Sequence, residues 1–313
     1  MDPASSAGLP QGDHRAPSGS SAAARAPGVR AASPALLSIN TATVRAQWTM
    51  PQIVDALQRH GIRGIAPWRD QVARDGLMDT ARRIRDAQLD VTCYCRGGMF
   101  TATDPAGLRA ARDDNRRAVD EALALGARCL VLVVGGLPKD SRGAPASKDL
   151  AGARGMVRDG IGALLDYARP AGMPLAIEPL HPMFAAERAC VNTLAQANDL
   201  CDELAPGDGP ALGVVVDVYH IWWDPCLERE IARAGAAQRL LDYHICDWLV
   251  PTTDMLNDRG MMGDGVIELP RIRGWMEAAG YRGAHEVEIF SERWWKVPGD
   301  DVLATCKARH AAA

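Results

Sequence analysis

Long apolar runs are missing from this 313-residue chain; none approaches the roughly 18–20 residues that a membrane-spanning helix needs. A strong charge of one sign is missing too. Its 35 basic and 39 acidic side chains leave a net −4, so nothing draws it toward nucleic acid or an anionic membrane surface. The eight cysteines include no CxxC pair, Cys93-x-Cys95 being the tightest spacing, and Cys93, Cys129 and Cys246 lie inside apolar runs. Buried, inert thiols in a reducing compartment are expected, not a disulfide framework, and with them a cytoplasmic location. No GxGxxG follows the first apolar run, which removes the usual mark of a doubly wound dinucleotide-binding sheet.

What is present suits one large core, since 47% of the residues are hydrophobic and 24% charged. Residues 1–33 stand apart. They are rich in Ala, Ser, Gly, Pro and Arg and have too few large apolar side chains to offset ordering entropy. They contain no continuous apolar stretch of the secretory-signal kind, and Asp2, Asp13 and the prolines weigh against a transit peptide. This segment is read as a disordered tail preceding a single domain over 34–313.

From Pro34 onward, short apolar runs alternate with helical patterns. The runs are ALLSIN (35–40), RGIAPW (63–68), LDVTCYC (89–95), RCLVLVV (128–134), PLAIE (174–178), ALGVVVD (211–217), LLDYHI (240–245) and HEVEIF (285–290). Each is too short for a helix, and several are rich in Val and Ile, as strands buried on both faces should be. Between them, Thr49 opens a helix that turns Ile53 and Leu57 inward and stops at Gly61. Asp104-Pro105 opens one that ends near Gly126, and Thr193 opens one through Leu204. The run starts fall roughly 25–45 residues apart, the length of a βα unit, and eight units fit a (β/α)8 barrel of the TIM type, an α/β fold.

Barrel enzymes place their chemistry at the C-terminal strand ends. There the fifth run ends at Glu178, the sixth at Asp217 and the seventh near His244, and the eighth carries Glu288. A strand-end carboxylate often only caps a helix or pairs with an Arg, and a lone His is commonly a core residue. Four such residues on consecutive strands are harder to explain that way, because an ionised carboxylate in an apolar setting needs a partner. Three carboxylates and one imidazole suit one hard or borderline divalent ion, Mn²⁺ first, with Mg²⁺, Co²⁺ and Zn²⁺ as the other candidates. Glu286 shares the barrel face of Glu288 by alternation and could instead be a buried paired group. Six tryptophans (Trp68, Trp222, Trp223, Trp248, Trp294 and Trp295) lie near predicted strand ends in a chain with only three Phe. Trp68 is the choice for a sugar-stacking wall and Arg96, in CRGGMF, for a substrate contact. The Trp294-Trp295 pair also suits a subunit interface, and a homo-oligomer is expected.

The segments IEPLHPMFAAERACVNT, VVVDVYH, YHICDW, NDRGMMGDGVIEL and EVEIFS together resemble the xylose-isomerase-like barrel superfamily. The likeness is to its sugar isomerase and epimerase branch of ketose 3-epimerases, inosose isomerases and inosose dehydratases, and it extends over roughly residues 36–305. The resemblance implies Glu178, Asp217, His244 and Glu288 as metal ligands, with Glu178 and Glu288 also the acid–base pair. It implies His220 and Arg259 as contacts to substrate hydroxyls. The expected reaction is proton removal beside a carbonyl to give an enediolate, then proton return at the same or the neighbouring carbon. The same enediolate could expel a β group, with His181 or His220 as acid, so a lyase acting on an inosose or a 3-oxo-glycoside stays open. Phosphodiester cleavage needs more ligands from strands two to four, where Trp68-Arg69-Asp70, Cys95-Arg96 and Gly135-Gly136 stand. A non-catalytic sugar-binding barrel would not need four intact ligand positions. The substrate is expected to be an unphosphorylated carbohydrate ketone, because Asp258, Asp264 and Glu268 crowd the glycines of the 257–269 loop.

Overall fold

A computed structural model describes residues 31–140, 142–207 and 209–313. The tail expected over 1–33 therefore lies almost wholly outside the described residues. Of its last three, Ala32 is buried and its N–H donates to the Ala311 carbonyl (3.3 Å).

The main sheet comprises nine strands: β1 (Leu37–Asn40), β2 (Gly64–Ala66), β3 (Asp90–Val91), β4 (Tyr94–Gly98), β5 (Leu130–Val133), β6 (Leu175–Ile177), β7 (Leu212–Asp217), β8 (Leu240–Ile245) and β11 (His285–Val287). A short antiparallel pair, β9 (Asp247–Trp248) and β10 (Arg259–Gly260), lies in the loop after β8. Every pairing in the main sheet is parallel, in the order β3-β2-β1-β11-β8-β7-β6-β5-β4. The two outermost strands, β3 and β4, are consecutive pieces of one stretch of chain. The first pairs with β2, the second with β5, and a parallel bridge from Trp68 to Cys95 closes the circuit. The architecture is a TIM barrel.

All eight apolar runs fall on barrel strands. The third differs from expectation: the chain hands over from one neighbour to the other at Thr92-Cys93, and a register shift between Cys95 and Gly97 carries β4 on to Gly98. The helices are α1 (Met50–His60), α2 (Arg69–Asp75), α3 (Leu77–Asp86), α4 (Pro105–Leu125), α5 (Leu150–Ala168), α6 (Leu194–Leu204), α7 (Val218–Ile221), α8 (Leu227–Ala236), α9 (Leu269–Ala278) and α10 (Gly299–His310). Local chemistry sets their ends. Asp104 accepts from Gly107 N and Thr193 from Gln196 N. Gly61 and Gly126 stop α1 and α4 at φ 64° and 71°, the left-handed region that favours glycine. No helix among the described residues is long and apolar enough to cross a membrane. All eight cysteines are unpaired, and seven are buried.

Candidate metal and substrate site

Period-two alternation and register assemble the site. Asp217 and Glu286 flank His244 on the neighbouring strands, while Asp242 and His244 share a face of β8, as do Glu286 and Glu288 at the end of β11. One ligand atom each from Glu178, Asp217, His244 and Glu288, all buried, lies within 4.8 Å of the others. Glu178 Oε1 and His244 Nδ1 are 3.2 Å apart, yet neither makes a hydrogen bond. A buried carboxylate and imidazole in near contact without hydrogen-bond geometry either pair as ions or share a third group between them. A divalent cation can be that third group, and the donor set of three carboxylates and one imidazole fits it.

Beneath this ring lies a second polar layer. His244 Nε2 sits 3.3 Å from Asp242 Oδ2 and 3.2 Å from Glu286 Oε1. Asn40 Nδ2 donates to Glu286 Oε1 (2.8 Å) and Glu288 Oε1 (2.9 Å), and the Thr92 hydroxyl donates to Glu286 Oε2 (3.0 Å). Burial pushes the Glu286 carboxyl up to about 8, with Asp242 and Glu288 adding to the shift and His244 and Asn40 opposing it. A second set, Cys93, Asp242, His244 and Glu286, is equally close-packed. There Glu286 is held by Asn40 and Thr92, whereas the upper ring contains the unmet Glu178 Oε1 and His244 Nδ1, which makes it the better candidate for a cation.

Arg259 enters from β10. Its Nη1 is 3.1 Å from Asp217 Oδ2 and 2.8 Å from Glu288 Oε2, and Nη2 is 3.2 Å from His220 Nε2. The guanidinium also lies 4.5 Å from the Tyr219 ring centre and 5.3 Å from that of Phe290. His220 is buried, and its Nδ1 accepts from the His181 backbone N–H (3.2 Å). Burial pushes the His220 pKa far down, Arg259 adding to it, so the ring is neutral. Asp217 is pushed up by burial against the pull of Arg259.

Of the sequence-predicted residues, the fold brings the four ring members, His220 and Arg259 into direct contact, with His181 attached through His220. The His181 ring stacks on Trp248 at 5.2 Å, and Trp248 meets Tyr219 at 4.8 Å, which gives the mouth one aromatic wall. Trp68 stands on another side, edge-on to Phe290 at 5.2 Å, with its indole N–H buried and unmet. Arg96 makes no hydrogen bond or ion pair to any of these; with Trp68, Asp70, Gly97 and Asp114 it lines a cavity of about 680 Å³. Trp295 is tied to its own chain by a bond from Nε1 to the Ala42 carbonyl.

Sequence reasoning passed over Asn40, Asp242 and Arg188. Asn40 is a polar residue closing an apolar run, the same signal that marked Asp217. Asp242 stands two residues before His244 on one strand face. Arg188 lies in the loop after β6, where sequence offers no periodicity to place it.

The family model for the xylose isomerase-like TIM barrel matches residues 54–308. The chain belongs to that family. The sequence is 24% identical over 147 residues to an inosose isomerase of Halalkalibacterium halodurans, a match that takes in 46% of this chain and spans about half (49%) of that relative. Among solved structures, protein SMc04130 of Sinorhizobium meliloti 1021 is 58% identical, with a TM-score of 0.84, over 89% of this chain and 98% of that one. The IOLI protein, solved with a zinc atom, has a TM-score of 0.70 at 20% identity over 87% of this chain and 95% of that one. A D-allulose 3-epimerase from Methylomonas sp., solved with D-allulose, has a TM-score of 0.67 at 20% identity over 90% and 97%. These last two likenesses carry the fold. By name, the curated relative is an isomerase and the last structural neighbour an epimerase.

Proposed function

We propose that this xylose isomerase-like barrel is a divalent-metal-dependent isomerase or epimerase. Its substrate is an unphosphorylated sugar or polyol-derived ketone, and it works through an enediolate with Glu178 and Glu288 as the proton-transfer pair. One observation carries the reading: the unbonded contact of Glu178 Oε1 with His244 Nδ1 inside a buried four-residue ring. A divalent ion held there, Mn²⁺ first, supplies Lewis-acid polarisation of a carbonyl and its neighbouring hydroxyl, which acidifies the adjacent C–H.

The chain's own groups do the rest. One of the two glutamates takes the proton from the carbon beside the carbonyl; the C–H electron pair becomes the C=C of the enediolate, and negative charge moves onto oxygen. The other glutamate returns a proton. Return from the opposite face inverts the centre; return at the neighbouring carbon moves the carbonyl. Arg259 presents donors to substrate hydroxyls beside the neutral His220 ring, and Trp68 offers a flat wall with an unmet N–H. The names of the inosose isomerase and the allulose epimerase support the class of reaction.

The test is to incubate Mn²⁺-loaded protein with ketoses, inososes and 3-oxo-glycosides in D₂O. Deuterium is expected at the carbon beside the carbonyl of at least one of them, whether or not net product accumulates. Turnover without any solvent deuterium at that carbon would rule the enediolate route out.

A further inference from the structure

Two arginines at the mouth have no anion. Arg96 sits on β4, and Arg188 lies in the loop that follows β6. Gly135 and Gly136 bring that loop across the end of β5 toward β4. Gly135 N donates to the Arg188 carbonyl (3.0 Å), Cys190 N to the Gly135 carbonyl (2.9 Å) and Leu137 N to the Ala186 carbonyl (2.8 Å). A β-carbon at Gly136 would stand 2.4 Å from Ala186 O, so only glycine permits this approach. Arg188 is thereby clamped beside the strand that carries Arg96.

Neither guanidinium has a hydrogen-bonded or ion-paired carboxylate among the described residues, and Arg188 Nε is buried without any partner. Other arginines sheltered from solvent hold carboxylates: Arg69 holds Asp114 and Glu121, Arg239 holds Asp202, and Arg259 holds Asp217 and Glu288. Arg188 has only the face of Phe184, 5.7 Å away. Burial pulls both pKa values below the ordinary arginine value, and Glu178 is close enough to both to oppose the shift. The three carboxylates of the ring can be matched by a divalent ion together with Arg259, without Arg96 or Arg188. Half-buried, unpaired cations beside a reaction centre are destabilising unless a ligand completes them.

We propose that Arg96 and Arg188 form an anion subsite beside the reacting centre, and that the substrate is a sugar acid whose carboxylate they hold. This rests on the reading of the ring as a ketone-binding centre and narrows its substrate class. A guanidinium matches a carboxylate with two parallel N–H donors. The backbone nest at Gly263 that might serve a phosphate is filled by Asp247.

The test compares three ligands that differ at one carbon: D-fructose, D-fructuronate and D-fructose 6-phosphate. Binding to Mn²⁺-loaded protein is measured by calorimetry, so that turnover is not needed and a failed deuterium-exchange experiment does not decide this one. D-fructuronate is expected to bind about tenfold or more tightly than D-fructose. That ratio should fall toward one in Arg188→Gln and in Arg96→Gln, and Arg188→Lys, which keeps the charge, should retain part of it. A merely structural role would weaken both ligands together and leave the ratio standing. Equal affinity for D-fructose and D-fructuronate in the wild type, or a ratio that survives both glutamine variants, would overturn the subsite. Tighter binding of D-fructose 6-phosphate than of D-fructuronate would overturn the carboxylate assignment.

Discussion

His244 Nε2 lies 3.2 Å from Glu286 Oε1 across the seam between β8 and β11, and Asp242 closes on the same nitrogen from two residues back along β8. Two acceptors on Nε2 place the ring proton there and leave the Nδ1 lone pair facing Glu178 and Glu288. His244→Ala and Asp217→Asn should therefore lower divalent-metal occupancy sharply with the barrel intact. Asp242→Asn combined with Glu286→Gln should weaken metal binding by about 10–100-fold. Elemental analysis and metal titration of the purified variants check this, and unchanged stoichiometry in both single variants would sink the site.

The two glutamates of EVE occupy different surroundings. Glu286 is wholly buried under Asn40, Thr92, Cys93 and His244, whereas Glu288, also buried, accepts from Asn40 and Arg259. Glu178→Gln and Glu288→Gln should each slow deuterium exchange by about 10²-fold or more, with metal content measured alongside because each is also a ring member. Full exchange in Glu288→Gln, with Glu286→Gln inactive, would make Glu286 the working carboxylate.

The barrel was legible because its strands are buried on both faces and read as unbroken apolar runs, so a ligand-type residue ending such a run is conspicuous. That rule located Glu178, Asp217, His244 and Glu288, and applied to ALLSIN it would also have marked Asn40. It could not show that one stretch, 90–98, splits its pairing between β2 and β5, because hydrophobicity does not record which neighbour a backbone N–H meets. Nor could it reach Arg188. That residue's position depends on Gly135 and Gly136 admitting a distant loop, a contact between backbones that leaves no periodic trace. Arg259 was expected only as a hydroxyl contact; its grip on Asp217 and Glu288 depends on the β9–β10 pair, two residues a side, too short for a pattern.

The final prediction concerns the loop after β8, where barrels commonly bind phosphate through backbone N–H groups. Here the protein supplies its own anion. Asp247 accepts from Trp248 N (2.9 Å), Gly263 N (2.9 Å) and Ile267 N (3.0 Å), with Gly265 N as a fourth donor. Gly265 fits this close approach because a β-carbon there would fall 2.1 Å from Trp248 O. The carboxylates around the glycines are themselves engaged, Asp264 with Arg309 (3.2 Å) and Glu268 with Arg271 (2.8 Å). A phosphate would have to displace Asp247 and leave its carboxylate buried without those donors. Accordingly kcat/KM for an unphosphorylated substrate should equal or exceed that for its phosphate ester at fixed ionic strength. Asp247→Ala strands several N–H groups at once and should lose about 3 kcal/mol of stability in denaturant titration, part of it restored by inorganic sulfate, which fits the vacated nest. A clear preference of the wild type for the ester, lost in Arg293→Ala or Lys296→Ala, would show that those two cations after β11 hold the phosphate instead.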